Sequence, residues 1–205
     1  MNVFFDLDGT LWDSQDRLFQ LFCDLTQNRL LSKEEYWSIK RSKISNEEIL
    51  RRRFNYEDDR IKEFSRQWME RIENPELLAL DTLFPYTHDV LNRIREKGWN
   101  IFYVTLRQHA DRVIKEITDK KINQYCTRCL VSEAKTTKEN LIRESGIVLS
   151  QEDVIVGDTG IDVMTGKALG IRNIAVLSGF RNRVILQKYN PDIIINNISE
   201  LDGKI

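Results

Sequence analysis

Asp6 and Asp8 stand two apart at the end of the apolar run Val3-Phe4-Phe5, and Asp158 and Asp162 stand four apart after Val154-Ile155-Val156. Thr105 closes a third run, Ile101-Phe102-Tyr103-Val104. Carboxylates serve as nucleophiles, proton carriers and ligands for hard cations, and a hydroxyl can hold an oxygen of an anion. Singly, these residues have plainer accounts. Asp-x-Asp-Gly is turn chemistry, and Gly-Asp before a helix is an N-cap. Jointly they acquire another meaning. Each follows a run that reads as a buried strand, and open α/β sheets bind ligands beyond the carboxyl ends of their strands. Four carboxylates gathered there would repel one another. A divalent cation is the usual remedy, and an oxygen-rich set suits magnesium. The cation would draw in a phosphate dianion, whose other oxygens Thr105, backbone amides and a lysine would hold.

The elements that must position these groups are legible in the spacing of apolar residues. Residues 14 to about 74 read as helical throughout. Leu18, Leu21, Phe22 and Leu25 recur at helical intervals, and Ile61, Phe64, Trp68 and Ile72 form a second stripe. Ser32 with Glu35, and Ser45 with Glu48, have the form of capping boxes. From Pro85 the rhythm changes to helices alternating with strands. Helices are predicted up to Gly98, over 108–119, over 137–145 and over 161–169. Strands are predicted at 101–104, near 129–131, at 154–156, at 174–177 and at 193–195. That alternation predicts an α/β fold with a doubly wound parallel sheet, covered on both faces. The helical block interrupts it, so residues 14–83 are expected to be an inserted cap domain, and residues 1–13 with 84–205 the core.

Composition removes several classes. Lysine plus arginine total 31 against 32 acids, a net charge of −1, so no dedicated nucleic-acid or membrane surface is expected. No apolar run approaches the ~20 residues of a membrane helix, and the N-terminus lacks the pattern of a secretory signal. Three cysteines, Cys23, Cys126 and Cys129, fit a reducing cytoplasm better than a disulfide framework. Cys126 and Cys129 have zinc-like spacing but no second pair, which argues against a structural zinc.

The motifs resemble those of the haloacid dehalogenase superfamily. Phe5-Asp6-Leu7-Asp8-Gly9-Thr10-Leu11 is similar to its first motif, Val104-Thr105 to its second, and Gly157-Asp158-Thr159-Gly160-Ile161-Asp162 to its fourth. The likeness points to the phosphoglycolate phosphatase and β-phosphoglucomutase-like branch, with a Rossmann-like core. It implies that Asp6 attacks phosphorus and becomes an aspartyl phosphate, while Asp8 protonates the leaving oxygen and then activates water. It implies magnesium held by the Asp6 carboxylate, the Asp8 carbonyl and Asp158, with Asp162 in support. The third motif asks for one lysine where the sequence offers Lys135 and Lys138. A capping box of Thr136 with Glu139 favours Lys135. After Thr105 the family often places Asn, whereas this chain has Leu106-Arg107. The Leu106 amide still reaches phosphate, and Arg107 is either a substrate contact or a surface arginine. Trp12 and Arg17 are weighed the same way, as substrate contacts against core packing and a solvated face, and Arg51-Arg52-Arg53 as an anion-binding run against the solvated side of a helix. The expected activity is hydrolysis of a small phosphorylated metabolite by a cytoplasmic monomer or homodimer. The alternatives are a phosphomutase or a non-catalytic module that keeps the fold.

Overall fold

Six strands pair in parallel in the order β5-β4-β1-β6-β7-β8 in the computed structural model, which describes residues 1–27 and 30–205. β1 (Asn2–Phe5) is central. The chain leaves it through a two-residue strand, β2 (Trp12–Asp13), and runs through α1 (Gln15–Thr26), α2 (Lys33–Arg41), α3 (Asn46–Phe54), α4 (Asp58–Arg71) and α5 (Pro75–Leu78). It returns at β3 (Thr82–Leu83). Then follow α6 (Thr87–Glu96), β4 (Asn100–Thr105), α7 (Ala110–Asp119), β5 (Cys126–Val131) and α8 (Lys138–Glu144). The last stretch holds β6 (Val154–Gly157), α9 (Gly160–Leu169), β7 (Arg172–Val176), α10 (Arg183–Gln187) and β8 (Ile193–Ile195). Two compact units result: Met1–Asp13 with Leu83–Ile205, and Ser14–Thr82.

In the α/β unit, alternation along the strands decides which face each side chain covers. Val3 and Phe5 join Ile101, Tyr103, Val154 and Val156 on one face, where α6 and α7 add Val90, Leu91, Val113 and Ile117. Phe4 points the other way, to Phe102, Val104 and Ile155 with Ile142 of α8. Its ring stacks on Phe102 at 5.2 Å between centroids. Phe4→Ala would therefore cost about 3–5 kcal/mol. Helices on both faces explain why the strands read as continuous apolar runs rather than alternating ones.

β1 pairs with β4 on one side and β6 on the other, with Phe5 level with Tyr103 and Val156. The chain first builds outward through β4 to β5, then returns to β6 beside β1. That reversal is the topological switch point, where α/β sheets open a crevice at the carboxyl ends.

The helical unit packs around aromatic rings. Phe22 lies 4.8 Å from Tyr36 and 5.9 Å from each of Phe54 and Phe64, centroid to centroid. Ser32 and Glu35 form the expected reciprocal cap, at 3.1 and 3.0 Å. Ser45 makes half of its box: its hydroxyl accepts from the Glu48 amide at 3.1 Å. Arg17 is buried against Asp81 rather than solvated, correcting that expectation. Arg51, Arg52 and Arg53 are exposed. The short helices α5 and α10 carry too few residues to show a period and were not anticipated. β5 starts three residues earlier than its predicted span, so Cys126 and Cys129 both lie within it. A register shift in the pairing of β5 with β4 lets both cysteines pack against the same core as Val3 and Phe5. Among the described residues no helix is long and apolar enough to cross a membrane.

Candidate active site

Asp6 is the first residue past β1, and its amide still donates to the Val156 carbonyl of β6 at 2.9 Å. Asp158 is the first residue past β6. Adjacent parallel strands thus deliver two carboxylates to the switch point side by side. Asp162 arrives from the first turn of α9. Its Oδ2 accepts from the Thr159 amide at 3.0 Å and the Thr159 hydroxyl at 2.7 Å, which fixes the helix start. One carboxylate oxygen from each of Asp6, Asp158 and Asp162 lies within 4.8 Å of the others, and all three residues are buried.

Glycine makes this crowding feasible. A Cβ on Gly157 would stand 2.1 Å from the Asp162 carboxyl carbon. Gly9 has φ +79°, and a Cβ there would come within 2.7 Å of an Asp158 oxygen. The loop after β7 completes the enclosure. The Phe180 amide donates to Asp158 Oδ2, and the Ser178 hydroxyl donates to the Gly9 carbonyl at 2.7 Å. This loop was missed in the sequence. Its signal was Ser178-Gly179 just beyond another strand end.

The cation among these acids is Lys138. Its ammonium donates to Asp6 Oδ1, and to Asp162 Oδ1 at 2.6 Å. The preference for Lys135 is therefore corrected. The helix N-cap is Thr137, whose hydroxyl accepts from the Asn140 amide at 3.2 Å, one position later than the Thr136 cap expected. That step makes Lys138 the first helical residue and turns it inward. Lys135 lies on the surface beside Glu133, 3.1 Å away.

Three carboxylates and one ammonium out of contact with water are electrostatically unbalanced. Burial raises the Asp6 pKa to about 7; Lys138 opposes the rise, and Asp162 and Asp8 add to it. Burial also raises Asp158, with Asp6 and Asp162 adding to the effect. Burial works against the Lys138 charge, but Asp162 and Asp6 outweigh it and hold the ammonium protonated. Asp158 Oδ1 is buried without a hydrogen-bond donor. An acceptor left in that state normally costs about 1–3 kcal/mol. Carboxylate oxygens only, a surplus of negative charge and an orphaned acceptor fit a hard divalent cation.

The other expected residues divide. Thr105 is buried at the end of β4, its hydroxyl accepting from the Arg107 amide at 3.3 Å. Leu106 is partly exposed just beyond it. The Asp8 side chain lies outside the group of three. It faces Arg107, which donates to it at 2.8 and 2.6 Å, and Trp12, whose indole donates at 3.2 Å. Arg107 is buried, which corrects the surface alternative.

A family model described as haloacid dehalogenase-like hydrolase matches residues 3–176. Among curated proteins, the chain is 23% identical to the pyrophosphatase PpaX of Bacillus mycoides over 222 residues, covering 97% of this chain and 94% of that one. It is 24% identical to a phosphoglycolate phosphatase of Vibrio parahaemolyticus over 129 residues, 60% of this chain and 56% of that one. Among solved structures, a haloacid dehalogenase-like family hydrolase from Streptococcus pneumoniae superposes with TM-score 0.79 at 20% identity, covering 99% of this chain and 97% of that one. A hydrolase from Pseudomonas syringae gives TM-score 0.68 at 15% identity, with 100% and 97% covered. At these identities the solved structures speak to the fold.

Proposed function

The chain belongs to the haloacid dehalogenase-like hydrolases, and we propose that it is a magnesium-dependent phosphatase that works through an aspartyl phosphate on Asp6. The observation that carries this reading is the buried group of Asp6, Asp158 and Asp162, with oxygens within 4.8 Å of one another and Lys138 bound to two of them. In the first step an Asp6 oxygen bonds to phosphorus in line with the departing oxygen, whose bond to phosphorus breaks. Asp8 gives that oxygen a proton. In the second step Asp8 takes a proton from water, which attacks phosphorus and frees Asp6. The Thr105 hydroxyl and the Leu106 amide hold phosphate oxygens, and Lys138 keeps the Asp6 carboxylate aligned.

Asp6, Asp158 and the Asp8 carbonyl would hold magnesium, with Asp162 behind them. Bound there, it supplies positive charge against the carboxylates and the phosphate. The helical insertion, residues 14–83, is read as the cap that selects the substrate, on its place in the chain between β1 and the remaining core. The substrate is a small phosphorylated compound. The names of the curated relatives put pyrophosphate and phosphoglycolate first to be tried.

The test is phosphate release from a panel of pyrophosphate, phosphoglycolate, sugar phosphates and nucleoside monophosphates, with magnesium and with a chelator. Release is expected from at least one compound and only with magnesium. Asp6→Asn should lower it by about 10³-fold or more, as loss of a covalent nucleophile does. An Asp6→Asn enzyme as active as the parent would remove Asp6 as the nucleophile. Products in which phosphate moves to a second hydroxyl, with none released, would replace the phosphatase by a mutase.

A further inference from the structure

Arg107 follows Leu106, the position after Thr105 where this chain departs from the motif it resembles, and it sits in a chain of alternating charges within the α/β unit. Its Nε donates to Asp8 Oδ2 at 2.8 Å and its Nη2 to Asp8 Oδ1 at 2.6 Å. Its Nη1 donates to Glu116 Oε2 of α7 at 3.0 Å. Lys120 closes the series, 3.2 Å from Glu116 Oε1. The Trp12 ring lies beside both cations, 5.6 Å from the Arg107 guanidinium carbon and 5.4 Å from the Lys120 nitrogen, while its N–H reaches Asp8 Oδ1.

We propose that Arg107 is a positioning residue that fixes the Asp8 carboxylate, and that Glu116 fixes Arg107 in turn; the proposal rests on the phosphatase reading of Asp8. Three observations separate this role from direct substrate binding. Each of the three guanidinium nitrogens already donates to a carboxylate. Both contacts to Asp8 are short and parallel, the fork geometry that sets a carboxylate's plane as well as its position. The group is also sealed from solvent, with 4% of the Arg107 side chain exposed. A buried ion pair is weak support for stability, because desolvation offsets most of the attraction. Its return here is geometric. Proton transfer demands a carboxyl oxygen within hydrogen-bond reach of the reacting oxygen, and a displacement of about 1 Å is enough to cost 10²-fold.

The experiment compares kcat/KM for p-nitrophenyl phosphate and for an alkyl phosphate, in the parent enzyme, Arg107→Ala, Arg107→Lys and Asp8→Asn. This constant reports the step in which the leaving oxygen takes its proton. An aryl oxygen departs with little help; an alkyl oxygen needs the acid. Arg107→Ala should lower the alkyl value by about 10²-fold, within the range for a positioned acid, and the aryl value by less than about 10-fold. Arg107→Lys should recover little, since an ammonium cannot make the fork. Adding Arg107→Ala to Asp8→Asn should bring no further loss, the signature of coupled residues.

Equal losses on both substrates, or full losses that multiply in the Asp8→Asn background, would overturn the proposal. Full alkyl activity in Arg107→Lys would do the same. Should Arg107→Ala fail to fold by circular dichroism, Arg107→Lys, which keeps the charge, carries the test. A parent enzyme that releases phosphate from neither these compounds nor the wider panel would sink the phosphatase reading itself, a result distinct from all of these.

Discussion

Arg17 in the helical unit and Lys138 in the α/β unit are both cations shut away from water, each with 4% of its side chain exposed. Their surroundings differ. Arg17 sets its Nε on Asp81 at 3.0 Å and gives Nη1 to the Ile72 carbonyl, at 3.2 Å, where α4 ends. Here the guanidinium meets an anion and covers an end-of-helix carbonyl, so three segments of the helical unit are tied together. Lys138 meets two carboxylates, a third lies in the same group, and an oxygen of that third is orphaned. Burial is common to both places. What marks the second as a site is surplus: more negative charge and more acceptor capacity than its own residues use.

The comparison breaks most visibly by removing each cation. Lys138→Met should lower phosphate release by about 10²–10³-fold, the range for losing one preorganised electrostatic partner. Arg17→Met leaves Asp81 buried beside an apolar chain and should cost about 3–5 kcal/mol of stability. Magnesium then separates the two. The ion stabilises whatever folded form binds it. Without Lys138 the carboxylates carry one more uncompensated charge, so the magnesium-induced rise in melting temperature should exceed the parent's. In Arg17→Met that rise should match the parent's. An equal magnesium response in both variants would show that the surplus is not where the ion acts.

A pH series sharpens the contrast with a smaller effect. The unfolded Asp6 gives up its proton near 3.8, and the folded Asp6 near 7, chiefly because of burial. Between those values the folded protein keeps a proton that the unfolded chain has lost. Stability therefore falls as pH rises through this window; the contribution is whole below about 4 and gone by about 7. The raised Asp158 acts in the same direction. Urea midpoints at pH 4.5 and 7 in a chelator should show the fall, and Asp6→Asn should flatten it. A parent protein that gains stability over the same range would contradict the raised Asp6.

How far the sequence carries is clear from particular residues. Asp6 and Asp158 could be placed together because each ends a continuous apolar run, and runs of that kind become neighbouring strands of a covered parallel sheet. Asp162 followed from the turn of helix that Thr159 caps. The Arg107 clamp on Asp8 was not legible. An arginine after Thr105 has the same local signal whether it faces solvent or folds back, and its partner Glu116 is nine residues away on a helix. Ser178, Gly179 and Phe180 were hidden for a similar reason: a serine hydroxyl on the Gly9 carbonyl and a Phe180 amide on Asp158 leave only a Ser-Gly pair after a strand, the same signal as an ordinary turn. Lys138 was lost by one residue in the choice between two adjacent threonines as the cap.

That single-residue step yields the smallest effect and a sharp control. Glu133 and Ala134 both have positive φ, 50° and 57°, so the chain turns abruptly before Lys135. Neither is glycine, which is why the turn was not foreseen. The turn leaves Lys135 with 74% of its side chain exposed and an ion pair to Glu133 at 3.1 Å. Pairs of that kind contribute about 0–1 kcal/mol. Lys135→Ala should therefore keep kcat/KM within about 2-fold of the parent, since 0.4 kcal/mol is roughly a factor of two. The same substitution at Lys138 removes a contact to Asp6, the proposed nucleophile. The pair of variants measured side by side reads out which lysine serves Asp6, independently of the substrate chosen. Comparable losses at both positions would mean that the segment 132–138 moves as one piece in the working enzyme, and that an inward Lys138 does not by itself mark the catalytic lysine.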